Sequence, residues 1–390
     1  MKKILIVLLI ITFCAGWALG QELKLSGEAK TGILWEEGQD EGKPKDLSRV
    51  RMHSKDDAGG ETGRFRLNMD YDSGKNIGFR ARLQWDTFSD ATVKWAYAFG
   101  YGNFFDNQLT VSVGKLGASP WGTGGPEMWK EMEVSREGGM RVEYKPGFIP
   151  EQYGRLNVGF VLNYCDDPDE ASVNRDANLT DILQETILGI SYTHNLFHAR
   201  FAYRLDSEKD SGLRQEGKKE GDKFLYRIEE RALKNVLPGL QAWAMGYLKG
   251  IGAESAEFYD FTNWLFLEYS PPELGSLKNP FTAQIRLGYY YVDNRQVVRV
   301  RPTFYWNFFD GLLTVGALFS YGQDFGNKVF EGSPYLDMEV EPKIQLNLPS
   351  SYIALAYNLK KEYKGYYPEA GKADPIRQSQ FINLRFCIYF

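Results

Sequence analysis

Cysteine and histidine are scarce, at three residues each in a chain of 390. His53 stands alone, and His194 and His198 flank a predicted turn, so a histidine metal centre is not expected. Beyond its N-terminus the chain has no apolar run near the roughly 20 residues that a spanning helix needs. A helical membrane protein is thereby excluded. There is no Pro/Ser-rich linker and no shift in composition, so one continuous domain is expected although the length would allow two or three. Gly122, Gly124 and Gly125 have no βαβ context, which excludes a nucleotide fingerprint. Asp166, Asp167, Asp169, Glu170 and Asp176 crowd one segment, but Pro168 interrupts them and the spacing is not that of an EF-hand; a solvated loop is expected rather than a Ca²⁺ site. Positive charge is not in excess: 46 Lys and Arg stand against 51 Asp and Glu. That balance argues against nucleic acid as a partner.

What is abundant is aromatic side chain and glycine: 24 Tyr, 25 Phe, 9 Trp and 40 Gly. Mean hydropathy is nonetheless mildly negative. A β-barrel with a polar lumen carries that combination naturally. Side chains alternate across a strand with period two, and this alternation recurs from end to end. Phe65, Leu67, Met69 and Tyr71 alternate with Arg64, Arg66, Asn68 and Asp70. Ile77, Phe79, Ala81, Leu83 and Trp85 alternate with Gly78, Arg80, Arg82, Gln84 and Asp86. Leu336, Met338, Val340, Pro342, Ile344 and Leu346 alternate with Asp337, Glu339, Glu341, Lys343, Gln345 and Asn347. A charge at the bilayer midplane costs up to about 2–4 kcal/mol, and a one-residue slip of this last run would turn four charges outward. Its register is therefore fixed. Pro342 lacks a ladder donor and is expected to form a local bulge.

Eighteen strands follow. Upward ones are expected near 23–35, 76–86, 108–115, 154–164, 196–205, 239–248, 281–291, 312–321 and 351–362. Downward ones are expected near 63–71, 93–103, 139–145, 185–193, 223–231, 259–269, 296–307, 335–348 and 380–390. Short turns then fall on one end, at Asp72-Ser73-Gly74-Lys75, His194-Asn195, Asp310-Gly311 and Pro349-Ser350. Long polar segments fall on the other, at 36–62, 116–138, 165–184, 206–222, 322–334 and 363–379. Between 223 and 270 two faces compete: Trp243, Met245 and Tyr247 against Leu240, Ala242 and Ala244. Losing a hairpin there would leave 16 strands. Residues 103–111 echo residues 307–315, each reading as strand, Asp-Asn or Asp-Gly turn, strand. Cys165 and Cys387 fall at opposite rims of such a barrel, so no disulfide is expected.

A soluble β-sandwich also alternates, but these runs exceed the roughly 5–6 residues of ordinary strands and approach the 9–11 of a tilted membrane strand. Aromatics such as Tyr71, Trp85, Tyr101, Tyr269, Trp306 and Tyr321 stand at strand ends, as in interfacial girdles. At the N-terminus, Lys2 and Lys3, the apolar run Ile4–Phe13 and the small residues around Ala18-Leu19-Gly20 read as a secretory signal peptide over 1–20. The barrel domain would then occupy 21–390. A lipid anchor on Cys14 is the rival reading, opposed by the bulky Phe13. The chain ends Phe381-Ile382-Asn383-Leu384-Arg385-Phe386-Cys387-Ile388-Tyr389-Phe390, with every second residue large and apolar. This ending resembles the C-terminal strand of bacterial outer-membrane β-barrels. The whole chain after residue 20 is similar to the general porin superfamily, by generic features rather than a diagnostic motif.

The resemblance implies an all-β, transmembrane, antiparallel up-and-down barrel of about 16–18 strands, with short periplasmic turns and longer outer loops. It implies an outer-membrane location, lipid around the wall, and a barrel-assembly machinery that reads Phe386, Ile388 and Phe390. It also implies passive diffusion of small hydrophilic solutes, with no cofactor, and it allows a homotrimer. No plug domain precedes the first strand, which argues against a TonB-dependent receptor. The N-terminus runs almost directly into a strand, which argues against a fatty-acid-type transporter. No His-centred grouping of an outer-membrane protease or phospholipase is recognisable, so no enzyme is expected. The inward faces bring Arg64, Arg66, Arg80, Arg82 and Arg141 to the pore lining, against the acids Asp337, Glu339 and Glu341. Charged rings of this kind set ion selectivity; alternatively the charges pair with one another and keep the lumen wet. The third outer loop, 116–138, carries Glu127, Glu131 and Glu133, and in porins that loop narrows the pore. The alternative for the loop is an exposed segment with a short helix. For the whole chain it is a surface barrel whose loops bind host or matrix ligands.

Overall fold

The computed structural model describes residues 22–40, 43–44, 49–51, 64–74, 76–85, 94–116, 121, 139–163, 186–205, 221–253, 259–292, 295–325, 336–363 and 376–390. The expected signal peptide, the 165–184 acidic cluster and Cys165 lie outside them. The eighteen expected strands are all present. They are β1 (Glu22–Asp40), β2 (Arg64–Asp72), β3 (Ile77–Trp85), β4 (Lys94–Phe104), β5 (Leu109–Lys115), β6 (Gly139–Tyr144), β7 (Arg155–Asn163), β8 (Ile187–Thr193) and β9 (Phe197–Arg204). There follow β10 (Asp222–Glu230), β11 (Leu240–Ile251), β12 (Asp260–Tyr269), β13 (Phe281–Val292), β14 (Arg295–Phe308), β15 (Leu313–Asp324), β16 (Leu336–Leu348), β17 (Ser351–Tyr363) and β18 (Ile376–Tyr389).

Each strand pairs antiparallel with its neighbour in sequence, and β1 pairs with β18 from Glu28↔Tyr389 to Asp40↔Arg377. The sheet is closed and leaves no unpaired edge. At the seam, Gly27 N–H donates to Phe390 O at 2.7 Å and Phe390 N–H donates to Gly27 O at 3.1 Å. A four-residue helix, α1 (Leu233–Val236), lies between β10 and β11, and a small hairpin, Glu273–Leu274 with Leu277–Lys278, lies between β12 and β13. Both belong to the short-turn end.

The period-two pattern explains the two faces. Leu265, Leu355 and Phe319 point outward and stay 46%, 47% and 47% exposed, while Trp264, Phe266, Ala354 and Ala356 on the other face are buried. The 16-strand alternative is excluded, because β10, β11 and β12 form continuous ladders. Trp243, Met245 and Tyr247 take the inner face, opposite Phe266, Trp264 and Thr262, and Ala242 and Ala244 face out beside Leu267 and Leu265.

Two expectations are corrected. Pro342 makes no bulge. The β16–β17 pairing resumes at Lys343↔Ala356 in the register it held at Val340↔Leu359, so the missing donor drops part of the ladder without adding a residue. The register shifts that do occur lie at Arg82/Leu83 and Asp222/Phe224. Tyr101 does not belong to an outer girdle. It pairs opposite Gly78, which has no side chain, and its ring fills that space on the inner face beneath Arg80.

The two echoing hairpins match in structure. Phe105, Asp106 and Asn107 hold φ of 51°, 54° and 66°; Phe309, Asp310 and Gly311 hold 52°, 53° and 88°. In each, a threonine hydroxyl donates to an asparagine carbonyl at 2.8 Å, Thr110 to Asn103 and Thr314 to Asn307.

Candidate functional site

The inner wall carries the ionisable side chains, and neighbouring strands set their partners. Arg64 Nη2 lies 2.7 Å and Arg66 Nη1 3.2 Å from one oxygen of Glu28, and Lys30 Nζ lies 3.3 Å from the other. Arg66 Nε also donates to Gln84 at 2.6 Å, and Arg82 Nε to Asn68 at 2.7 Å. Arg80 Nε lies 3.4 Å from Asp70, and this pair is water-facing, its side chains 54% and 47% exposed. Arg141 Nε lies 3.0 Å from Glu143. Beneath three of these arginines runs a rank of rings on β4. Arg80 stands 5.3 Å over Tyr101, Arg82 5.1 Å over Tyr97, and Arg141 5.7 Å over Phe99. The quadrupole of each ring favours the cation above it.

On the far side of the seam the acids of β16 sit in a buried network. Arg385 Nη2 donates to Glu341 at 2.9 Å, both side chains 7% exposed. Asn358 Nδ2 donates to Glu339 at 2.6 Å and to Glu341 at 2.9 Å, and Arg301 Nη2 lies 3.9 Å from Glu339. The backbone of Asp337 continues β16 opposite Gly322; its side chain is outside the described residues.

Glu339 and Glu341 therefore engage Arg301 and Arg385, not the arginines of β2 and β3. Glu28, Asp70, Glu143 and Glu229 are further inward acids that pair locally. Alternation alone marks them as inward, but their partners depend on register between strands. Directly opposed side chains on adjacent strands lie about 4.5–5.5 Å apart at Cβ, so nearby pairing outcompetes attraction across a wet lumen.

Glu127, Glu131 and Glu133 lie outside the described residues. From the same segment, however, Trp121 is buried at 9% exposure. Its indole lies against the backbone of Gly189 on β8, where a Cβ would sit about 2.0 Å from the ring. It joins an inner apolar cluster with Leu116, Val161, Ile187, Leu225, Met245 and Trp264. Trp121 thus lies inside the barrel, against β8.

No family model matches the chain, and no curated protein is similar to it in sequence. The solved structures it resembles include porins. An anion-selective porin from Comamonas acidovorans is 12% identical, covering 94% of this chain and 100% of that one at a TM-score of 0.49. The outer membrane channel DcaP of Acinetobacter baumannii is 10% identical, covering 95% and 97% at 0.47. OmpT, an outer membrane protein of Vibrio cholerae, is 10% identical, covering 95% and 98% at 0.44.

Within the chain itself, the inner wall divides. From β14 through β1 to β3 it is ionic and hydrogen-bonded. From β7 to β12 an apolar patch of Val161, Ile187, Leu225, Met245 and Trp264 meets Trp121, and the ion-paired Arg200, Arg227 and Glu229 stand on the same wall toward the short turns. Such a wall can hold water and ions on one side and seat a loop on the other.

Proposed function

We propose that the chain is an outer-membrane porin, passing small hydrophilic solutes through a charged lumen. The observation that carries this reading is the closed eighteen-strand sheet with apolar side chains outside and ion pairs inside. Water inside and lipid outside satisfy both faces at once. In this reading residues 1–20 direct export, and the short turns face the periplasm. Outer-membrane lipid covers the exterior, and the assembly machinery reads the last strand, where Phe386, Ile388 and Phe390 are 36%, 56% and 55% exposed. The loop after β5 narrows the lumen, with Trp121 as its anchor and Glu127, Glu131 and Glu133 in its remainder.

Planar-bilayer recording of the purified, refolded chain tests the reading, together with liposome swelling in graded sugars. Ohmic single-channel steps and size-limited sugar entry are expected. Intact barrels that pass neither ions nor sugars would overturn it and favour a surface barrel that binds ligands through its loops.

A further inference from the structure

At the short-turn end, β10, α1 and β11 surround a pocket of about 500 Å³, within the range that holds small organic ligands. Arg227, Arg231, Lys234, Gln241 and Trp243 line it, with Glu229 and Glu230. The acids are largely engaged. Glu229 accepts from Arg200 at 3.0 Å through one oxygen and meets Arg227 at 2.8 Å through the other. Glu230 Oε1 accepts the backbone N–H groups of Ala232 and, at 2.7 Å, Leu233, while its Oε2 is buried without a hydrogen bond.

The cations are not all engaged. Arg231 Nη2 meets only the ring of His198, at 3.3 Å, and Lys234 has no partner among the described residues. The pocket lining holds three cationic side chains, Arg227, Arg231 and Lys234, and two carboxylates, Glu229 and Glu230. Beside them stands a flat apolar surface, Trp243, stacked on Phe266 at 5.0 Å with an interplanar angle of 8°.

We propose that this pocket is a binding station for small organic acids that join a carboxylate to a planar ring. Arg231 and Lys234 take the carboxylate, since a guanidinium fork matches its two oxygens. Trp243 takes the ring. The proposal rests on the porin reading only for how the acid arrives. It places a solute site near one mouth, apart from the arginines of β2 and β3.

Calorimetric titration of the full chain in detergent tests it, with benzoate as probe and acetate and benzamide as controls. Benzoate should bind saturably and more tightly than either control. Arg231→Gln with Lys234→Gln should weaken benzoate by about tenfold or more, the effect of losing charge-assisted contacts. Lys234→Gln alone, at an exposed position that leaves the fold intact, should weaken it by a smaller factor. Trp243→Leu should weaken benzoate and leave acetate unchanged. Absence of saturable binding, or equal affinity in the native chain and the double variant, overturns the proposal. Bound benzoate in a barrel that carries no current would instead overturn the porin reading and leave the pocket standing.

Discussion

The ring of Phe390 lies over the backbone of Gly27, in the space a side chain would occupy: a Cβ on Gly27 would sit 2.5 Å from the Phe390 ring. The same two residues exchange both main-chain hydrogen bonds across the seam. Phe65 stacks on Phe390 with centroids 5.9 Å apart and an interplanar angle of 25°. The last residue of the chain is thus part of the closure of the barrel. Gly27→Leu must expel the ring or move β1. Overpacking of this kind costs about 1–3 kcal/mol. The variant is expected to lose its folded-barrel mobility in gels at a lower temperature than the native chain. An unchanged transition would show that the ring does not need this cradle.

Selectivity should depend on the charges that water reaches. Arg80 and Asp70 are about half exposed, whereas Arg64 and Arg66 converge on the shielded Glu28. Exposed pairs contribute little to stability, about 0–1 kcal/mol, yet their charges remain available to passing ions. Arg80→Ala with Arg82→Ala is expected to lower the anion-to-cation permeability ratio, and Asp70→Asn to raise it, with folding intact. Reversal potentials under a salt gradient measure both. Identical potentials in all three proteins would remove these residues from the selectivity mechanism.

Strand number and register could be read from the chain because the penalty for error is large and periodic. Asp337, Glu339, Glu341 and Lys343 put charge on four alternate residues of β16, and only one register keeps all four off the apolar outer face. β11 resisted such a reading. Trp243, Met245 and Tyr247 are inward yet apolar, since they pack in or against the cluster that also holds Trp121. A strand covered on both faces shows no polar side to orient it. Tyr101 misled for a related reason: its place opposite Gly78 follows from pairing between strands, not from its position near a strand end. The ionic partners were the least legible. That Arg385 meets Glu341 requires β18, β17 and β16 to be aligned first.

Trp121 should govern the width of the passage. Its indole is held between Gly189 and the inner apolar cluster, and removing a buried aromatic side chain costs about 3–5 kcal/mol locally. Trp121→Ala is expected to release the segment and change single-channel conductance. Gly189→Leu should do the same by filling the seat. The two variants change opposite sides of one contact, so agreement between them would locate the effect there. Native conductance in both would show that the loop does not narrow the pore through Trp121.

An outward amide offers a test of the proposed membrane-facing wall. Asn263 stands on the outer face of β12 between Gly246 and Tyr289. The Tyr226 hydroxyl reaches across Gly246 and donates to its Oδ1. Hydrocarbon supplies no replacement donor, and hydrogen bonds between side chains in membranes contribute about 0.6–2 kcal/mol. Tyr226→Phe is therefore expected to destabilise the barrel by about 1 kcal/mol in urea unfolding from lipid vesicles. Tyr226→Phe combined with Asn263→Leu should recover that loss, because the amide that needed the donor is gone. Equal destabilisation in the single and double variants would mean that the tyrosine acts through packing over Gly246 rather than through its hydroxyl.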